Sequence, residues 1–144
     1  MTENHPDRAE RLFREGYNCA QAVFGAFAGD LGLDLETAVR YASAFGGGMG
    51  RLREACGAFS GLLMVLSFRD GYSDPTDPSA KKACYSAVQE LAAEFRKEAG
   101  ALQCRDLMPG AEVGGVAEIR NEEFYRKRPC VSVIRLAARL GEEK

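Results

Sequence analysis

ACGAFSGLLMVLSF, residues 55–68, decides the fold. It is the longest apolar stretch in the chain, interrupted by Gly57, Ser60, Gly61 and Ser67. It is too short and too mixed to span a bilayer. Its apolar positions do not alternate, and they cover nearly every side of a helical wheel. A helix that is apolar all round belongs in the middle of a protein. The sequence therefore predicts a central buried helix over about Arg53–Arg69, stopped by Gly71. Cys56 falls in its first turn. No histidine lies beside it and no second cysteine stands at CxxC spacing, so either a small buried hydrophobe or a working thiol fits the local sequence.

The segments on either side also read as helices, and no run of alternating β-branched residues interrupts them. Pro6 opens a first helix through RAERLFRE, ending at Gly16. Asn18 caps a second, CAQAVFGAFAG, with Gln21 completing a capping box. Asp34 caps a third, LETAVRYASAF, which places Leu35, Ala38, Val39, Ala42 and Phe45 on one face. GGGMG (Gly46–Gly50) then breaks the pattern. After the central helix, SDPTDP is a loop in which Asp77 caps and Pro78 opens a fifth helix running to Ala99. CRDLMPG reads as a short helical turn, residues 110–116 as a loop, and IRNEEFYRK as a short helix. Pro129 opens a last helix, CVSVIRLAARL, that ends at Gly141. No repeat or linker divides the chain. The expectation is one all-α domain over residues 1–144, with a tail over about 1–5 and five to seven helices packed around the central one.

Composition narrows the function. A chain of 144 residues can build a real core. A net charge of −2 gives no electrostatic case for nucleic acid, and the lack of tryptophan and of a basic-aromatic strip argues against base stacking. The polar N-terminus has no apolar signal region, so the expected location is cytoplasmic. The only histidine, His5, falls in the expected tail. That sets aside Ser–His, Cys–His and His-rich zinc chemistry.

Five cysteines remain, many for a reducing compartment, where cysteines with a role are more often metal ligands or redox groups than bridges. Cys84 lies inside the fifth helix, in register with Val88, Leu91 and Phe95, and reads as a core residue. The other four fall at helix starts: Cys19 after the Asn18 cap, Cys56 after the glycine loop, Cys104 opening the short turn, and Cys130 after Pro129. Free N–H groups and the positive end of the helix dipole favour a thiolate there. Their spacings match no paired metal-binding knuckle, and cysteine is often buried in any case.

The ordered set of Y-N-C-A-Q from Tyr17, GGGMG, C-G-A-F-S-G at Cys56–Gly61, C-R-D-L at Cys104 and R-P-C at Cys130 resembles the C-GCAxxG-C-C family of redox-active proteins. The likeness covers about Tyr17 to Leu140, although this chain reads C-G-A-x-x-G where the family label has G-C-A. The resemblance implies a small bacterial or archaeal protein with four characteristic cysteines, which carry over to Cys19, Cys56, Cys104 and Cys130. Cys84 stands outside that pattern. The resemblance brings no substrate and no settled reaction.

Three classes of function stay open. Four convergent thiolates could hold a [2Fe–2S] or [4Fe–4S] cluster or a structural zinc. Gly46, Gly47, Gly48 and Gly50 would let backbone N–H groups approach sulfur, and Gly57 and Gly61 would let a cofactor or a helix come close. A flexible connection and tight helix packing explain the same glycines. Alternatively, Cys56 with a neighbour cycles between dithiol and disulfide, with Arg51 and Arg53 supplying positive charge or remaining solvated. Third, the chain is a non-catalytic helical module, in which Phe124, Tyr125 and Arg126–Arg128 mark either a contact surface or a solvated helix end. The first two classes need a redox partner protein, and a homodimer is compatible with all three. GGGMGRLRE does not complete GxGxxG, and SDPTDPS lacks the order of an EF-hand.

Overall fold

The computed structural model describes residues 3–143. Eight helices occur among them: α1 (His5–Arg14), α2 (Cys19–Ala26), α3 (Leu35–Ala42), α4 (Gly57–Asp70), α5 (Pro78–Ala99), α6 (Cys104–Leu107), α7 (Glu122–Lys127) and α8 (Cys130–Glu143). The all-α expectation holds. The sole extended pairing among the described residues is one antiparallel bridge, Ala55 to Gln103. No helix among them is long and apolar enough to cross a membrane.

The caps that the sequence proposes are made. The Asn18 side chain accepts from the Gln21 N–H, and the Gln21 side chain accepts from the Asn18 N–H, at 2.9 and 3.0 Å. Asp34 accepts from Thr37 N–H, and Asp77 from Ala80 N–H. His5 is not in a loose tail. It opens α1, its ring stacks on Phe27 with centroids 4.1 Å apart, and its nitrogens lie 2.7 Å from Glu142 and 2.5 Å from Asp30. The two ends of the chain are thereby tied together.

The centre is shared by two helices. α2 is small and almost wholly buried through Ala20, Ala22, Val23, Phe24, Gly25 and Ala26. It packs against α4, which buries Ala58, Phe59, Leu62, Val65 and Leu66, and the pair is wrapped by α1, α3 and α8, with α5 alongside α4. Gly61 allows this closeness: a Cβ there would lie 2.8 Å from the Ala20 carbonyl oxygen and 3.0 Å from the Val23 Cβ.

Two expectations are corrected. α4 starts at Gly57 rather than near Arg53, because residues 53–56 are drawn into an extended pairing with residues 102–105. Cys84 is not a core residue. It lies on the inward stripe of α5, but only the second half of this 22-residue helix reaches the core, through Leu91 and Phe95, and Cys84 stays half-buried outside it.

Candidate functional site

The pairing that displaces the start of α4 also builds the site. Cys56 N–H donates to Leu102 carbonyl at 2.7 Å, Cys104 N–H to Glu54 carbonyl at 2.6 Å, and Arg105 N–H to Arg53 carbonyl at 3.2 Å. An Arg105–Glu54 ion pair at 2.6 Å flanks this short ladder. Cysteines far apart in sequence are thus fixed side by side at the N-termini of α4 and α6. Cys19 joins them because α2 and α4 begin together: a Cβ on Gly57 would stand 3.2 Å from the Cys19 Cβ. Cys130 completes the set at the first residue of α8, its Sγ 4.0 Å from the Met108 sulfur.

All four of these cysteines line one cavity of about 210 Å³. Cys56, Cys104 and Cys130 are 5, 7 and 8% exposed, and Cys19 is half-buried. Gly46, Gly47, Gly48 and Gly57 also line it, whereas Gly50 does not. The glycine segment is not a slack connection. Five successive residues, 47–51, have positive φ, and Gly50 N–H closes back on Gly46 carbonyl at 2.9 Å. Gly48 is required by both conformation and space. Its φ is +74°, and a Cβ would meet the Cys104 Cβ at 2.6 Å and the Arg53 Cα at 2.8 Å.

The cavity wall is strongly basic. Arg51, Arg53, Arg120 and Arg128 line it with one carboxylate, Glu118. Glu118 pairs with Arg128 and lies 3.8 and 3.9 Å from Arg51 and Arg53. Arg53 is not a solvated loop residue: it is 3% exposed, and its Nη1 lies 3.6 Å from Cys104 Sγ. The buried Nη2 groups of Arg51 and Arg53 make no hydrogen bond. Arg120 donates to the Phe13 and Tyr17 carbonyls at 2.8 and 3.0 Å, closing the segment before α7 over the end of α1. Phe124 and Tyr125 pack inward on Phe13, and Arg128 lines the cavity, whereas Arg126 is exposed as a solvated helix end would be.

Placement at helix starts does not by itself make each thiol acidic. Cys130 is held below the ordinary thiol range, first because Cys19 donates a hydrogen bond to it, and further by the fields of Arg128, Arg120 and Arg53 against the opposing effect of burial. Cys19 is pushed well above that range, first by its interaction with Cys130, then by desolvation and by the other thiols of the cavity. Burial pushes Cys56 up to about 11, although the Phe59 and Ala58 N–H groups oppose it. The thiol most favoured to ionise by these surroundings is therefore Cys130 rather than Cys56.

The donor set is all sulfur. Among the described residues no three metal-ligating side chains close on one point as a lone ion would need. The cavity that the four cysteines line exceeds the volume of several waters. Arg120, Glu118 and Met108 escaped sequence reasoning, because they belong to the site only through contacts across the fold.

Comparison with known proteins finds no match among curated proteins and none among solved structures. The family described as "Putative redox-active protein (C_GCAxxG_C_C)" matches residues 17–144, nearly the whole chain, including all four cavity cysteines. On that match, the chain belongs to the C_GCAxxG_C_C family of putative redox-active proteins.

Proposed function

We propose that Cys19, Cys56, Cys104 and Cys130 together hold an iron–sulfur centre and that the protein carries electrons between partner proteins. The observation behind this reading is the convergence of four cysteines, from four separate helix starts, on one cavity. When bound, such a centre supplies one-electron chemistry, at a potential set by charge, hydrogen bonds to sulfur and burial. The chain's own residues fit it in three ways. Four thiolates complete the ligand set of either the two-iron or the four-iron type. The arginines offset the thiolate charge. Helix starts and the Arg53 guanidinium direct N–H groups towards sulfur. Burial of three of the four sulfurs favours electron transfer over thiol exchange, which requires an attacking thiolate to reach sulfur directly.

A second reading rests on the Cys19–Cys130 pair. The Cys19 thiol and the more acidic Cys130 thiol can close to a disulfide, giving up two electrons to a partner together with the protons that the two sulfurs still carry. A structural zinc is a third occupant, and would require the four sulfurs to draw together around one ion.

Purification without oxygen, followed by visible absorption and analysis of iron, acid-labile sulfide and zinc, separates these readings. The expected result is brown protein with two or four irons per chain, bleached by reductant. Serine at any of the four cysteines should abolish or sharply reduce iron uptake, while Cys84→Ser leaves it unchanged. Colourless protein without iron overturns the electron-transfer reading. Thiol counts before and after reduction then distinguish a disulfide from zinc.

A further inference from the structure

We propose that Arg53 is a redox-tuning residue of the four-cysteine site: its buried charge stabilises the reduced state and raises the site's reduction potential. The inference rests on the redox reading above but not on which group carries the electrons.

Several independent features single out Arg53. It is 3% exposed, so its charge acts in a dry setting where Coulomb interactions are strong. Nη1 lies 3.6 Å from Cys104 Sγ. Nη2 faces no hydrogen-bond acceptor, and its nearest carboxylate, Glu118, stands 3.9 Å away and is already engaged by Arg128. The backbone is also unfavourable, with φ at +59°, a conformation that an L-residue rarely takes and one that recurs at functional sites. A buried guanidinium with an unmet donor, on a strained residue beside sulfur, is poor design for stability alone. It fits a site that gains negative charge. Nε donates to Glu112 carbonyl at 2.9 Å, which aims the fork inward. Arg51 has the same character, with φ at +69° and an unbonded Nη2, and reinforces the field.

The sign follows from charge. Reduction of a cluster adds an electron, and reduction of a disulfide creates thiols and thiolates. A fixed positive charge favours the reduced form in both cases.

The test compares wild type with Arg53→Met and Arg53→Lys. Both variants lose the guanidinium fork and its bond to Glu112, but only methionine loses the charge. Reduction potentials are measured on iron-loaded protein. On metal-free protein, the dithiol–disulfide equilibrium is measured against glutathione. There, oxidised glutathione accepts the two electrons and two protons from the protein dithiol, one protein disulfide forms, and two glutathione thiols are released. Methionine should favour the oxidised form at least tenfold, about 59 mV lower for a one-electron centre or about 30 mV for a dithiol. Lysine should stay within about threefold of wild type. Melting of the metal-free proteins by circular dichroism checks that each variant folds, and Arg53→Gln replaces methionine if that variant does not.

Equal shifts for lysine and methionine, or no shift in either, overturn the proposal and leave Arg53 a structural anchor. Wild type that takes no iron removes the electron-transfer reading, and the metal-free equilibrium still decides the role of Arg53. Wild type that neither takes iron nor forms a disulfide overturns both.

Discussion

Cys56 ends the extended segment and opens α4, so its sulfur meets two opposing influences. The first N–H groups of the helix favour a thiolate, and burial disfavours it more, leaving the pKa at about 11. This difference has a consequence for stability. In the unfolded chain the thiol ionises near the ordinary value of about 8.5. In the metal-free, reduced protein it ionises higher. The folded state therefore keeps a proton that the unfolded state has lost, and stability falls as pH rises from about 8.5 to 11. The loss from Cys56 amounts to roughly 3 kcal/mol. Cys19 adds to it with the same sign, while the lowered Cys130 acts oppositely, its contribution present at high pH and lost as pH falls. Urea unfolding at a series of pH values under reducing conditions checks this. Cys56→Ala should flatten the decline between pH 9 and 11. An unchanged slope in that variant would show that burial of this thiol is not the cause.

Among the elements, the contact of α2 with α4 sets the site. These helices meet where each is smallest, at Ala20 on one and at Gly57 and Gly61 on the other. Their N-termini carry Cys19 and Cys56, so any wedge between them moves two of the cavity cysteines at once. Gly61→Ala inserts a methyl against the Ala20 backbone and Val23, and should cost about 1–3 kcal/mol in a denaturant titration. It should also weaken iron retention, although no ligand is touched. α5 teaches the reverse lesson. Its stripe of Cys84, Val88, Leu91 and Phe95 reads as uniformly buried, but periodicity reports which side faces inward and not how far the core extends. Phe95 meets Phe59 with ring centroids 5.3 Å apart, whereas Cys84 lies about three turns earlier and outside the core.

In the whole molecule, the wall of the cavity formed by residues 112–120 is held mainly by arginines rather than by apolar packing. Arg51 donates to Gly114 carbonyl at 2.8 Å, Arg53 to Glu112 carbonyl, and Arg120 clamps the far end on Phe13 and Tyr17 with its guanidinium 4.3 Å from the Phe13 ring centroid. Val113, Val116 and Ile119 remain exposed. Arg120→Ala should cost about 1–3 kcal/mol and speed amide exchange across residues 110–127, with little change in α2 or the first half of α4. Hydrogen exchange read by mass spectrometry checks it. Uniform acceleration over all helices would mean instead that the clamp supports the global fold.

The sequence by itself determined what depends on a few neighbouring residues: which segments are helical, which side chains cap them, and that four of five cysteines stand at helix starts. Capping and amphipathic periodicity act within about one turn, so they are readable one segment at a time. Only the tertiary structure decided that the four starts converge on one cavity, that residues 53–56 leave the helix to pair with 102–105, and that Arg53 is buried rather than solvated. Each of these depends on contacts between residues distant in the chain, such as the 51 positions from Arg53 to Cys104, and on burial that no local pattern encodes.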